Sequence, residues 1–236
     1  MSIFINKLEA ARRQLDAAIR LTFSNEDALA IHTLGAAAYR IVRDILHKRR
    51  QHAPDEFVRN GIYQMSMSLA HGEMSHKEIE FLKKSEAHYA FMCEVAEQIK
   101  VQGASGNKVT IDQVSMTSSK QAKISHWQTM SKVASFLKHA ERDADSSLNL
   151  DEVDNDNLLF HASGAYVLAS HHITPEIAIF YMYFSQKTGT RVGLRADEAE
   201  FVDVLERLSP ARRRRTCAQL IRISKRYGGA LPFWNT

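Results

Sequence analysis

The segment Ser135-Phe-Leu-Lys-His-Ala-Glu-Arg-Asp-Ala-Asp145 gathers an imidazole, a guanidinium and carboxylates where an apolar, helix-like stretch runs into an acidic one. His139 and Asp143 are four positions apart and so share one face of a helix. A carboxylate so placed can fix the imidazole tautomer, or both groups can ligate a divalent metal. A metal would need further ligands. His32 and His161, each within an apolar helical pattern, are the candidates, which makes the metal set His32, His139, Asp143 and His161. A small anion is the other candidate ligand. Lys138 and Arg142 would supply positive charge, His139 and Asp143 oriented hydrogen bonds, and His32 an approach from a second helix. The plainer alternative is a helix end where His139 meets the dipole and Asp143 pairs with Arg142. No His-Glu-x-x-His, nucleophile elbow, Walker loop or dinucleotide fingerprint occurs, so no nucleotide cofactor is expected.

The acidic stretch invites a calcium reading. Asp143, Asp145, Ser147, Asn149 and Asp151 alternate as in an EF-hand loop, with Leu150 at its apolar eighth position. Leu148 stands where Gly makes the sharp turn, however, and Asp154 where a longer Glu supplies two oxygens. A solvated loop of Asx turns is the expectation.

Basic residues cluster at two other places. His32, Tyr39, Arg43 and His47 fall near one face of the second helical segment. In the last segment Arg215, Gln219, Arg222 and Arg226 form a stripe opposite Cys217, Leu220, Ile221 and Ser224. Arg43, His47, Arg215, Arg222 and Arg226 are thus candidate phosphate contacts to RNA. The last stripe lacks interleaved aromatics for base stacking, and solvated faces are the competing account.

These residues need helices to position them. The chain has 236 residues, 44% hydrophobic and 25% charged, with only 10 Gly and 4 Pro. That balance suits a globular protein built of long helices. The helical period runs nearly throughout, beginning with Phe4, Leu8, Ala11, Leu15, Ala18 and Thr22 along one face of a first helix. Ser24 with Asp27, Ser75 with Glu78, and Thr110 with Gln113 predict capped helix starts. Thr174-Pro175 and Ser209-Pro210 predict two more, and the last helix is expected to stop at Gly228-Gly229. The reading is all-α: a single bundle of eight or nine mostly antiparallel helices, forming one domain over residues 1–236. Gln102-Gly-Ala-Ser-Gly-Asn-Lys-Val109 is a candidate subdomain break.

The net charge of +4 hints at an anionic partner, either a small ligand or RNA. A homo-oligomer is also among the expected assemblies. No stretch approaches the length of a membrane helix and no signal peptide is apparent. Cys93 and Cys217 lie far apart within helical patterns, as buried thiols of a cytoplasmic protein would.

Two resemblances rest on these segments. Leu8-Glu-Ala-Ala-Arg-Arg-Gln-Leu-Asp-Ala-Ala-Ile-Arg-Leu21 and Asp27-Ala-Leu-Ala-Ile-His-Thr-Leu-Gly-Ala-Ala-Ala-Tyr39 look like a HEPN-type helical hairpin. That superfamily's ribonucleases pair an Arg with a His a few residues on. Arg43-Asp-Ile-Leu-His47 matches the polar follower but is one residue short in spacing. The implied activity is a ribonuclease using Arg43 and His47. Over more of its length the chain resembles a functionally uncharacterised family of bacterial cytoplasmic proteins. The carrying segments are Ala30 to Tyr39, Phe136 to Asp145 and the helix after the acidic stretch. The family pattern is Asn-Phe-Phe-Lys-His-Ala-Asp-Arg-Asp-Pro. Here Ser135, Leu137, Glu141 and Ala144 depart from it, while Lys138, His139, Arg142 and Asp143 keep it. The functional expectation is a binding or regulatory protein with a site around His32, His139, Arg142 and Asp143. The enzymatic alternatives are a metal-dependent hydrolase on His32, His139 and Asp143, and the ribonuclease.

Overall fold

A computed structural model of the chain describes residues 4–49, 53–83, 86–104, 109–115, 132–138, 145–189 and 196–226, those of 53–60, 87–88, 152 and 196–197 by backbone alone. All regular structure among them is helical. The helices are α1 (Lys7–Ser24), α2 (Ala28–Lys48), α3 (Ala53–Ala70), α4 (His76–Lys83), α5 (Glu86–Gly103), α6 (132–138), α7 (Asn155–Ser170), α8 (Pro175–Thr188), α9 (Ala196–Glu206) and α10 (Pro210–Arg226), with a 3-10 turn at Leu150–Glu152. These ten α-helical segments exceed the expected eight or nine. Of the helix expected from Ser75 through Ile99, α4 and α5 are the described parts, on either side of residues 84–85.

Contacts divide the chain into two compact units: residues 1–53 with 132–236, and residues 54–131. The 102–109 stretch falls inside the second.

In the first unit, α1 and α2 form a tight hairpin. Asn25 takes the left-handed conformation (φ 57°) and its N–H reaches the carbonyls of Leu21 and Thr22, closing α1. Asp27 alone then caps α2, accepting from the N–H groups of Leu29 and Ala30. Ser24, expected to share that cap, is the last residue of α1. The buried stripe of α1 is Ala11, Leu15, Ala18, Ile19 and Phe23, and it includes Asp16. Phe4, expected to begin this stripe, precedes the helix and is 93% exposed.

Helix α7 packs on α2 and runs parallel to it. His32 meets Asn155, Gly35 meets Leu158 and Leu159, and Arg49 at the far end donates to the carbonyl of Ala169 at 2.7 Å. A parallel pair needs a long connection, and here residues 49–154 supply it. Thr174 caps α8 through a 3.2 Å bond from the Ile177 N–H, with Pro175 in the first turn. Helix α8 contacts α1, α7, α9 and α10. Accordingly Ile177, Ile179, Phe180 and Met182 are fully enclosed. The ring of Phe184 stacks on Phe160 of α7 at 4.5 Å.

The second unit has its own core of Tyr63, Val95, Ile99, Val109 and Val114. The expected capping box of α4 forms in full. Ser75 N–H and hydroxyl donate to Glu78 Oε2 (2.7 and 2.8 Å), and Glu78 N–H donates to Ser75 Oγ (3.3 Å). Thr110 and Gln113 make a similar bond, at 2.7 Å, but residues 111–113 form a turn rather than a helix.

Candidate functional site

His32 is the member of the expected site that the structure describes most fully. It lies on the first turns of α2 and is 3% exposed. Its Nδ1 is 3.2 Å from Oδ1 of Asn155, whose Nδ2 donates to the carbonyl of Ala28 at 2.8 Å. That carbonyl can only accept, so the Asn155 amide is oriented with its oxygen toward His32. Nδ1 must therefore be the protonated nitrogen. Burial holds the His32 pKa below its ordinary value, opposed in part by the Asn155 bond, so the ring is neutral. Nε2 is then a lone-pair acceptor, enclosed and without a hydrogen-bond partner among the described residues.

His139, Arg142 and Asp143 lie outside the described residues. Lys138 is exposed at the last described position of α6. His161 is half-buried on α7, edge-on to Phe160 with ring centroids 5.9 Å apart. Among the described residues no group of three His, Cys, Asp or Glu side chains is placed to hold a metal. One Glu-x-x-His spacing does occur, at Glu73 and His76, but Glu73 precedes α4 and both residues are exposed. In the described part of the acidic stretch, two side chains cap and a third forms an ion pair. Asn149 accepts from Asp151 N–H at 3.1 Å, Asp154 accepts from Asn157 N–H at 3.1 Å, and Asp156 pairs with Lys187.

The basic candidates separate. His32 and Tyr39 are buried, whereas Arg43 and His47 are exposed. The buried seam of α2 runs through Ile31, Ala38, Val42 and Leu46, and Arg43 and His47 lie on the exposed side of it. Arg43 makes a loose 3.4 Å contact with Asp44. On α10 the stripe of Arg215, Gln219, Arg222 and Arg226 is exposed as expected, while Cys217, Ile221 and Ser224 are buried. Burial pushes the Cys217 thiol up to about 12. Cys93 is only half-buried, and both cysteines are free.

A second constellation went unread in the sequence. Asp16 (3% exposed) and Glu176 (4% exposed) lie in a cleft of about 410 Å³ between α1, α8 and α10, flanked by Arg12, Arg13, Arg20 and Lys225. Asp16 Oδ1 accepts from the Thr174 hydroxyl and Oδ2 from Arg12 Nη1, both at 2.8 Å. Glu176 Oε1 accepts from Arg20 Nη1 at 2.8 Å and lies 3.1 Å from Lys225 Nζ. Arg12 and Arg13 also bond Glu9, whose carboxyl they draw down to about 2. Burial, reinforced by the charge of Glu176, instead raises the pKa of Asp16. The signal was present but mute, since helical period places Asp16 one position after Leu15 and cannot say that α8 and α10 cover it.

Comparison with family models, curated proteins and solved structures gives no match.

Proposed function

We propose that the chain is a helical binding protein whose recognition site is built on His32, Lys138, His139, Arg142 and Asp143. The observation that carries this reading is the enclosed Nε2 of His32, unpartnered among the described residues. Leaving a buried acceptor unsatisfied costs about 1–3 kcal/mol, so folded proteins rarely keep one without a use. The neutral tautomer also narrows the chemistry. Nε2 accepts, so the ligand must bring an O–H or N–H donor, while Lys138 and Arg142 favour negative charge. A small hydroxylated anion, such as a 2-hydroxy acid, satisfies both requirements. All five residues belong to the first unit, which we read as the bundle that supports the site. The two free cysteines accord with a reducing, cytoplasmic setting.

The test is a thermal-shift titration with malate and lactate. The unsubstituted protein is expected to be stabilised in a saturable manner, and His32→Phe and His139→Ala to lose that response. Equal stabilisation of all three proteins would sink the reading. A lone pair at Nε2 also suits a divalent metal. Metal co-purifying in stoichiometric amount, and lost in His139→Ala, would replace the anion with the metal-dependent hydrolase.

A further inference from the structure

The cleft between α1, α8 and α10 holds more hydrogen-bond donors than its own acceptors can use. A guanidinium carries five N–H donors and an ammonium three. Arg20 directs Nη1 to Glu176, Arg13 directs Nε to Glu9, and Lys225 meets one oxygen of Glu176. Both oxygens of Asp16 are already engaged by Thr174 and Arg12. Arg20 and Lys225 converge on a single oxygen, Glu176 Oε1. Glu176 Oε2 offers about two further acceptor sites, far fewer than the remaining N–H groups of Arg13, Arg20 and Lys225. Their side chains are 56%, 40% and 52% exposed, so they are reachable from solvent, whereas the carboxylates beneath them are enclosed.

The charge balance points the same way. Arg12, Arg13, Arg20 and Lys225 stand against Asp16 and Glu176 in the lining. The N-terminal end of α8 opens there, with Pro175 in the wall, and adds its positive dipole end. Guanidinium forks match tetrahedral oxyanions bidentately, which a lone ammonium does not. The volume, about 410 Å³, leaves room for a small organic body beside the anion.

We propose that this cleft binds a phosphate group, free or as the terminus of a small phosphomonoester, gripped by Arg13, Arg20 and Lys225. The buried Asp16–Thr174 and Glu176–Arg20 contacts hold the guanidinium carriers in place from below. The site is separate from that of His32, and the variants that test it leave His32 intact.

The experiment is isothermal titration of the full chain, at low salt, with inorganic phosphate and with glycerol 2-phosphate. Saturable binding of at least one probe is expected, and the tighter of the two identifies the source of the phosphate group. Arg13→Gln and Lys225→Gln should each weaken it about tenfold, the usual loss of one charge-assisted contact. Arg212→Gln, on an exposed part of α10 outside the cleft, should leave it unchanged. Arg20→Gln risks unfolding by stripping a partner from buried Glu176. Arg13 and Lys225, on exposed stems, are therefore the positions that decide. No saturable heat up to about 10 mM of either probe overturns the proposal. So does equal weakening by Arg212→Gln, or binding of a single-stranded RNA oligonucleotide with neither small probe bound.

Discussion

The hydroxyl of Thr174 donates to Oδ1 of Asp16 at 2.8 Å, joining residues 158 positions apart in the sequence. The Thr174 hydroxyl oxygen in turn accepts the N–H of Ile177 and so closes the first turn of α8. One enclosed side chain thus caps a helix and ties it to α1. Thr174→Val should remove both bonds and leave an enclosed carboxylate oxygen and an N–H without partners. A loss of about 2–4 kcal/mol is expected by denaturant unfolding, with Thr174→Ser recovering most of it. A change under about 0.5 kcal/mol would show that the tie contributes nothing.

His32 should govern stability on the acid side of neutrality. Its folded pKa lies below the ordinary 6.5, first because of burial, with the Asn155 bond opposing. The unfolded chain therefore takes up the proton first, and stability falls as pH drops from 6.5 toward the depressed folded value. Unfolding free energies measured from pH 8 to pH 5 should show this slope in the native sequence and lose it in His32→Phe. An identical slope in both would place its origin elsewhere. Nitrogen-15 spectra of the ring should also show Nδ1 protonated at pH 7, and Asn155→Leu should abolish that preference.

Asp16 carries the opposite sign. Burial, then the neighbouring charge of Glu176, raises its folded pKa above the ordinary 3.8. The folded state keeps this proton to higher pH than the unfolded one, so the stability it contributes is lost as pH rises through the raised value. Asp16→Asn should flatten that part of the profile. A steeper decline in the variant would contradict the assignment.

Gly35 faces Leu158 and Leu159 of α7 at close range. A Cβ built there would stand 3.0 Å from Leu159 Cδ2 and 3.3 Å from Leu158 Cδ2. Both leucines are enclosed, so their methyls have little room to shift. Overpacking of about 1–3 kcal/mol should outweigh the propensity gain of about 1 kcal/mol. Gly35→Ala is expected to lower the melting temperature by a few degrees, and a rise would mean that the leucines repack freely.

In the second unit, Tyr63 donates from its hydroxyl to the carbonyl of Val109 at 2.6 Å within a small core. Tyr63→Phe should cost about 1–2 kcal/mol and accelerate hydrogen exchange at Val95 and Ile99. Unchanged exchange there would show that this bond does not hold the core.

Helix starts were the most legible feature of the chain. Asp27, Ser75 with Glu78, and Thr174-Pro175 are read locally because a cap bonds its own first turn. Thr110 with Gln113 shows the limit, since the same bond there closes a turn at residues 111–113. The exposed stripe of α10 was equally plain, because its polar and apolar faces alternate strictly at the helical period. His32 was legible as a candidate but not as a tautomer, which depends on Asn155 and, through it, on the carbonyl of Ala28.

The sequence by itself thus determined that the chain is helical, and where several of its helices begin, since those are effects of neighbours along one turn. Only the tertiary structure decided that α2 and α7 run parallel, that Asp16 is enclosed beside Glu176, and that Arg20 and Lys225 converge on one oxygen. Those relations join residues more than a hundred positions apart. The energy of burying a carboxylate is set by whichever helix arrives to cover it, and no local period records that arrival.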